Sequence, residues 1–403
     1  MTPEGSPAPP PIGDTSSQRD FWRRVTGAGS SLGQALLLPT LAFVTALIIG
    51  GLIIALTDLD ALGRLTTEPG AALADMFRSV IDAYRALFVG MFGSVQAISE
   101  GLFSATPLIF AGLGVALGFR AGLFNIGAQG QIQMGAMLAL WVGIYVTAPA
   151  LVHIPLALLG GFVGGMLWGA IPGFLKARSG AHEVITTIML NFVAFYFMQW
   201  LLTTPTLQQP GRGNPVSMPI QETAQLPLLF GEPYRVTIAF VIAVGAVFLV
   251  RWLIFRSSLG FELRATGYSQ QAARYAGMNV SWLIVLAMAI SGGLAGVAGA
   301  NQIMGLPPYD ASPSLAGTVG FDAITVALLG RSHPVGVLWS ALLFGALKAG
   351  GRTMQAQAGV PLDLIVVLQA LIVMFVAAPE LVRVIYRIKP KSNALGAQAG
   401  EVS

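Results

Sequence analysis

The sequence is poor in charge and contains no cysteine. Of its 403 residues, 10% are charged and 55% are hydrophobic, whereas roughly 25% of the residues in a soluble domain are charged. So few ionised groups cannot cover a water-facing surface, which indicates that much of the outer surface faces lipid. Because cysteine is absent, the sequence excludes disulfides, thiolate metal sites and cysteine nucleophiles.

Histidine is scarce and a nucleotide-binding loop is absent. The three histidines, His153, His182 and His333, lie far apart and lack the i, i+4 spacing of a helical zinc site. The sequence contains no Gly-x-x-x-x-Gly-Lys-Ser/Thr loop, which would cradle nucleotide phosphates. A membrane enzyme is therefore disfavoured, and energy from ATP would have to come from another polypeptide.

Ten apolar runs predict the fold. A helix that crosses a bilayer needs about 20 apolar residues. The runs cover residues 36–56, 103–119, 130–148, 154–175, 184–203, 236–255, 282–304, 317–330, 334–350 and 362–378. We therefore predict an all-α, polytopic membrane protein with about ten transmembrane helices.

The runs divide the chain into three parts. Residues 1–35 are expected to form a disordered cytoplasmic tail, residues 36–378 the transmembrane domain, and residues 379–403 a second cytoplasmic tail. With both termini inside, most of the 22 Lys and Arg residues fall on the cytoplasmic side, as the positive-inside rule requires. The prediction is a multi-pass inner-membrane protein.

Residues 70–88 have apolar residues at helical spacing, which predicts an interfacial helix.

Two Gly-rich interruptions break the apolar pattern. One covers residues 122–130, and the other lies in the short eighth run, which contains Gly317, Gly320 and Asp322. Both predict broken or re-entrant helices, which a membrane tolerates only where protein or a water-filled path surrounds them.

A weak internal repeat accompanies the interruptions. Residues 122–125 are echoed by residues 320–322, and residues 165–170 by residues 336–341. Chance similarity in Gly-rich apolar sequence explains these matches equally well. Interrupted segments at corresponding places in two halves nevertheless point to a transport path.

A long polar segment, residues 255–281, lies on the predicted cytoplasmic side. Ser269 is suited to an N-cap and Gly277 to a C-terminal stop, so a short surface helix is predicted between them. Such a helix has the shape needed to seat in a groove of a motor subunit. The alternative is an ordinary connecting helix.

Several motifs together resemble a known family. They cover residues 119–131 (FRAGLFNIGAQGQ), 134–136 (MGA), 182–191 (HEVITTIMLN), 291–296 (SGGLAG) and 320–330 (GFDAITVALLG). They are similar to the ABC importer permeases for simple sugars, nucleosides and branched-chain amino acids, and they occur in that family's order between about residues 90 and 380. Residues 183–191 resemble the nucleoside branch.

The resemblance implies a non-catalytic membrane subunit that forms the translocation path for nucleosides or a related sugar-containing solute. It also implies three protein partners: an ATP-binding cassette subunit, a second and different permease subunit, and an extracytoplasmic solute-binding lipoprotein of the basic-membrane-protein type. ATP and magnesium would bind to the ATPase, and no cofactor to this chain. Contact with membrane lipid is expected, and none with nucleic acid.

Polar and aromatic residues in or beside membrane segments are candidates for the substrate path, because such groups are unusual there. They are Phe124, Asn125, Gln129, Gln131, Asn191, Asn301, Gln302 and Asp322. Asn125 is the leading candidate, because it lies among glycines at an interruption. The alternative for each amide is a hydrogen bond to a neighbouring helix or a cap. For Asp322, capping and solute contact are equally plausible.

The candidates for ATPase coupling lie in the polar segment 255–281. They are Arg264, Tyr268, Gln270, Ala272, Ala273 and Gly277. Glu183 is expected to interact with the N-terminal amides of its helix. The rival function, an ion-coupled secondary transporter, would place charged residues in mid-span, whereas here the carboxylates lie mostly at segment ends.

Overall fold

The computed structural model describes residues 32–387, and this range is folded into helices. Two isolated β-bridges, Gln208 with Ser217 and Leu228 with Thr237, are the only β-pairing in the described range. The α-helices are α1 (Leu32–Thr57), α2 (Leu59–Arg64), α3 (Pro69–Phe92), α4 (Val95–Arg120), α5 (Ala128–Tyr145), α6 (Ala150–Ser179), α7 (Glu183–Leu201), α8 (Ile238–Arg256), α9 (Ser258–Tyr268), α10 (Gln270–Tyr275), α11 (Val280–Met304), α12 (Val319–Leu329), α13 (Pro334–Ala358), α14 (Leu362–Ala377) and α15 (Pro379–Ile385).

Several helices begin or end at residues whose chemistry favours a helix terminus. Ser94 accepts a hydrogen bond from the Ala97 amide (3.0 Å) and caps α4. Asn279 caps α11 in the same way. Gly180 and Gly359 end α6 and α13 in the left-handed conformation, with φ of 69° and 66°, which glycine adopts without steric cost.

The described residues divide into two compact units. One consists of residues 50–373, which contain the cavities and segments discussed below. The other consists of the described segments 32–49 and 374–387. Within it, the hydroxyls of Thr45 and Tyr386 share a hydrogen bond of 2.9 Å. Most of the two predicted tails lies outside the described residues, although α15 occupies the start of the second one.

The prediction of a polytopic helical protein is confirmed. Each of the ten apolar runs coincides with a helix, and seven of these helices are long and apolar enough to cross a membrane: α1, α4, α6, α7, α8, α11 and α13. Helix α12 and residues 363–375 of α14 are apolar but shorter, and α5 has 18 residues that are mostly buried. With 11 residues, α12 is about 16 Å long, which is half the thickness of the hydrocarbon core.

Helix α3 covers the amphipathic segment, which is helical as predicted. Leu73 and Phe77 are 59% and 67% exposed, whereas the buried residues of α3 include Met76, Leu87 and Gly90. A Cβ atom at Gly90 would lie 2.4 Å from the Thr353 hydroxyl and 2.8 Å from the Gly350 Cα atom. The absence of a side chain at both glycines permits this close approach of α3 to α13.

Two triplets of helices, α4–α5–α6 and α11–α12–α13, form the centre of the larger unit. In each triplet an irregular segment separates the first helix from the second: residues 121–127 and residues 305–318. The first helix of each triplet packs extensively against the third helix of the other, and α4 also packs against α11. The echoed sequences 165–170 and 336–341 both lie in third helices. These reciprocal contacts between the two triplets are typical of an inverted repeat.

The longest irregular segment, residues 202–237, packs over residues 305–318. Backbone hydrogen bonds of 3.0 Å join Ser217 to Ala311 and Ile220 to Tyr309. The buried His153 bonds through Nδ1 to the Thr223 hydroxyl (2.8 Å) and holds the segment against α6. The second interruption is therefore covered by protein, as irregular backbone at membrane depth must be.

Glycines set the distance between α6 and α11. A Cβ atom at Gly165 would lie 2.1 Å from the Gly292 carbonyl oxygen and 2.7 Å from the Gly296 Cα atom. Both obstacles are backbone atoms, so a side chain there requires the helices to separate. Close contact through small residues is a main source of helix association in membranes.

The substitution Gly165→Ala is expected to destabilise the protein by about 1–3 kcal/mol, because it overpacks a backbone contact. The matched control is Gly245→Ala in α8, where a Cβ atom meets nothing within 4 Å and helix propensity favours Ala by about 1 kcal/mol. Thermal unfolding in detergent measures both variants. Equal melting temperatures for the two would contradict the packing described here.

Candidate functional site

A cavity of about 440 Å³ opens between α4, α11, α12, α13 and α14. Two of the predicted path residues, Gln302 and Asp322, line it. The other polar lining residues include Thr318, Lys348 and Gln369, and the apolar ones include Phe103, Leu306, Leu315, Ile365 and Val366. We call it the first cavity. Its lining combines apolar surface with a few polar groups, as small-molecule sites do.

A charged pair lies in the first cavity. The Lys348 ammonium donates a hydrogen bond to Asp322 Oδ2 at 2.6 Å, and the Thr318 hydroxyl donates to the same oxygen at 2.7 Å. The two side chains of the pair are 27% and 19% exposed. Asp322 lies in the first turn of α12 and lines the cavity from there. Sequence reasoning missed Lys348, although a lysine within an apolar run signals a partner of opposite charge.

Three further charges form the wall between the first cavity and a neighbouring one. Glu100 lies 3.2 Å from Arg235 and 3.6 Å from Arg352. The Arg352 guanidinium donates to the Ser104 hydroxyl (2.6 Å), and Arg235 lies over the Phe103 ring at 4.5 Å. All three charged residues line a second cavity of about 480 Å³, and Arg235 and Arg352 line the first cavity as well. Sequence reasoning missed this triad, because its members come from three distant segments.

Asn125 and Gln131 belong to a closed hydrogen-bond network. The Asn125 amide nitrogen donates to Gln131 Oε1 (2.9 Å) and to the Ser291 hydroxyl (2.8 Å), and its oxygen accepts from the Gly127 amide (2.9 Å). Asn125 is 0% exposed. Its polar atoms are therefore used within the protein, and the first cavity does not include it. Solute contact by Asn125 or Gln131 stays a prediction.

Asn191 secures the same interruption from α7. Its oxygen accepts from the Gly130 amide at 2.8 Å, and its nitrogen donates to the Ile126 carbonyl at 3.0 Å. The side chain satisfies backbone groups that the break in the helix leaves unpaired. This is the alternative that the sequence left open for the amides.

Gln129 connects the two interruptions. Its side-chain nitrogen donates to the Gly317 carbonyl (2.7 Å), and its oxygen accepts from the Gly320 amide (2.9 Å). A Cβ atom at Gly320 would lie 2.4 Å from the backbone nitrogen of Gln129, so the two segments are in close contact. The start of α12, which carries Asp322, is thus held by the first helical turn of α5.

The remaining predicted path residues lie in different places. Phe124 is 40% exposed, and its ring lies 4.9 Å from the Phe119 ring. Asn301 is buried beside Gln302, and its Oδ1 has no hydrogen-bond partner in the described part of the chain. Glu183, which the sequence assigned to its helix N-terminus and not to the path, begins α7 and forms an ion pair with Lys176 at 2.5 Å. Solute contact by Phe124 and Asn301 also stays a prediction.

The polar segment 255–281 forms the two short helices α9 and α10. The Ser269 hydroxyl accepts from the Ala272 amide and caps α10, and Gly277 follows it with φ of 82°, as the sequence indicated. Sequence reasoning did not identify α9 as a separate helix.

The predicted coupling residues differ in exposure. Tyr268, Ala272 and Gly277 are exposed, and Tyr268 reaches 89%. Gln270 is half-buried and Ala273 is buried. The Arg264 guanidinium lies 5.5 Å from the Phe255 ring. Most of α10 therefore presents an exposed surface, and Ala273 anchors it.

Helix α9 touches the first interruption. A Cβ atom at Gly122, which has φ of 71°, would lie 2.9 Å from the Gly267 Cα atom. At Gly267, a Cβ atom would lie 2.4 Å from the Arg120 carbonyl oxygen. A displacement of α9 would therefore reach residues 121–127 directly, and Gln129 lies two residues beyond them.

Comparison with known proteins identifies the family. A profile described as "Branched-chain amino acid transport system / permease component" matches residues 97–377. The chain belongs to this permease family. No solved structure matches it.

Three characterised relatives cover most of the chain. The guanosine ABC transporter permease NupP of Bacillus subtilis is 41% identical over 78% of this chain and 90% of its own length. The glucose ABC transporter permease of Haloferax volcanii is 35% identical over 85% of this chain and 87% of its own length. The nucleoside ABC transporter permease NupB of Lactococcus lactis is 32% identical over 78% of this chain and 87% of its own length.

This permease is therefore a multi-pass membrane subunit of an ABC importer, and it is not catalytic. It functions in a complex with an ATPase and a solute-binding protein. The rival interpretation, an ion-coupled secondary transporter, is not favoured.

The natural absence of cysteine allows a direct test of the first cavity. A single cysteine at Gln302, which lines the cavity, should react with a water-soluble thiol reagent. The control is Ala323→Cys, one residue from Asp322 but 0% exposed, which should stay unlabelled in the folded protein. Equal labelling rates at the two positions would show that the cavity is not accessible to water.

Proposed function

We propose that this permease imports nucleosides. The observation that carries the proposal is the 41% identity to the guanosine permease, which extends over 78% of the chain. The nucleoside permease NupB supports the same assignment. Import of a simple sugar is the second candidate, because the glucose permease is 35% identical over 85% of the chain.

The chemistry of the first cavity suits an uncharged, hydroxyl-rich solute. Gln302, Gln369 and Thr318 supply neutral hydrogen-bonding groups, while Phe103 and Ile365 supply apolar surface for a base. The volume of about 440 Å³ falls within the usual range for small-molecule sites. Asp322 balances the charge of Lys348, and Glu100 balances one of Arg235 and Arg352. The pair and the triad together keep one net positive charge, which an uncharged solute does not have to neutralise.

The partners follow from the same proposal. A separate ATPase binds ATP and magnesium and docks on the exposed surface of α10, with Tyr268, Ala272 and Gly277 at the contact. A second, different permease subunit completes the membrane part, and a solute-binding lipoprotein delivers the nucleoside from outside. Both termini lie in the cytoplasm of the cell, since this orientation leaves most Lys and Arg residues inside.

Coupling in this proposal follows a continuous set of contacts. Movement of the ATPase displaces α9 and α10, and the Gly267–Gly122 contact passes the displacement to residues 121–127. Gln129 then transmits it to the start of α12 and so to Asp322. The nucleoside contributes only through its different affinities for the outward-open and inward-open states.

A solute panel tests the assignment. Cells or proteoliposomes containing the permease, its ATPase, its second permease and its receptor should take up labelled guanosine. Unlabelled nucleosides should compete with that uptake, and glucose should not. Competition by glucose alone would favour the sugar candidate instead.

The substitution Ala272→Trp tests the docking surface. A bulky side chain on the exposed face of α10 should lower solute uptake at least tenfold by blocking ATPase contact, while the protein still inserts and folds. Uptake, together with ATPase activity of the purified complex, is the measurement. The control is Ser179→Trp at the end of α6, which is also exposed and lies on the cytoplasmic side in the proposed orientation. Normal uptake with Ala272→Trp would remove α10 from the coupling path.

A further inference from the structure

One oxygen of the Asp322 carboxylate accepts hydrogen bonds within the protein, and the other oxygen is open to a further donor. Oδ2 accepts from both Lys348 and Thr318. Oδ1 accepts no hydrogen bond from any residue in the described range, and it is not enclosed. Asp322 lines the first cavity, so this open acceptor belongs to a residue that borders the space that a solute would occupy.

Lys348 adds donors beside that acceptor. An ammonium group has three N–H donors, and within the described residues one of them is used, by Asp322 Oδ2. A free acceptor oxygen and free N–H donors therefore lie next to each other. The pair is partly exposed, at 27% and 19%, so its polar atoms are available to a solute without first breaking the ion pair.

This arrangement matches the hydrogen bonding of a vicinal diol. Each hydroxyl can donate one hydrogen bond and accept others, and a carboxylate that accepts from ribose hydroxyls is a recurrent device in nucleotide-binding proteins. Hydrogen bonds to ionised groups are about twice as strong as those between neutral groups. The apolar residues Phe103, Leu306 and Leu315 line the same cavity and would face the base.

We propose that Asp322 and Lys348 form a subsite for the ribose diol within the permease itself. The inference rests on the proposed function, because it takes nucleosides as the solute. The subsite distinguishes ribonucleosides from 2′-deoxynucleosides during passage, in addition to any selection by the receptor. Asp322 accepts from the diol, and Lys348, which also donates to the carboxylate, donates to a hydroxyl oxygen.

The test compares guanosine with 2′-deoxyguanosine in proteoliposomes that contain the full complex. Maximal ATP-dependent uptake is measured with the receptor saturated by each solute. The ratio of the two rates should be about ten for the wild-type protein and fall towards one with Asp322→Asn, since a charge-assisted hydrogen bond is lost. The variant Asp322→Glu, which keeps the carboxylate, should restore part of the preference. Because the receptor is the same in every arm, its own selectivity cancels from the change in ratio.

The matched control is Asp75→Asn. Asp75 forms an exposed ion pair with Arg64 (2.9 Å) outside the cavity, so the same chemical change there should leave the ratio unaltered. An equal loss of both solutes with Asp322→Asn would indicate a purely structural role and overturn the proposal. If Asp322→Asn fails to fold, equal maximal rates for the two solutes in the wild-type protein overturn it. Absence of any nucleoside uptake by the wild-type complex would instead reject the proposed function.

Discussion

Backbone groups left unpaired by a broken helix must find partners inside an apolar protein, and the structure depends on how this permease meets that constraint. The break at residues 121–127 is satisfied by Asn125 and Asn191, whose amides bond to backbone groups of residues 126, 127 and 130. The break at residues 305–318 is satisfied partly by Gln129 and partly by backbone hydrogen bonds from residues 202–237. Both interruptions are therefore fixed parts of the fold.

The second break creates the charged centre of the first cavity. Asp322 lies in the first turn of α12, directly after this break, and lines the cavity from there. The carboxylate is stable there because Lys348 and Thr318 both donate to it. The two breaks are joined through Gln129, and the first touches α9 through Gly122. The segment proposed to receive force from the ATPase and the charged pair thus belong to one connected set of contacts.

Hydrophobic run length predicted most of the fold. All ten runs became helices, and local chemistry placed the cap at Ser269 and the stop at Gly277 correctly. Hydrophobicity alone did not show which apolar residues of α3 are buried. Met76, Leu87 and Met91 are buried together with small residues, whereas Leu73 and Phe77 are exposed. The internal repeat is likewise weak in the sequence, whereas the reciprocal contacts between the two helix triplets are clear in the structure.

The site was harder to predict because its contacts join distant parts of the chain. Asn125 bonds to Ser291 and Asn191 bonds to Gly130, and nothing in the local sequence says that these partners are present. An amide that faces a cavity and an amide that closes a break have the same local pattern. The Glu100–Arg235–Arg352 triad was missed for the same reason, since its members become neighbours only after three segments have packed together.

The most direct test of the central claim is the energy source for transport. The complex, reconstituted in proteoliposomes with its receptor, should accumulate labelled guanosine only when the ATPase is supplied with hydrolysable ATP. Accumulation should stop with a non-hydrolysable analogue, and sodium or proton gradients should not restore it. Accumulation by the permease chain alone, driven by an ion gradient without ATP, would contradict the account.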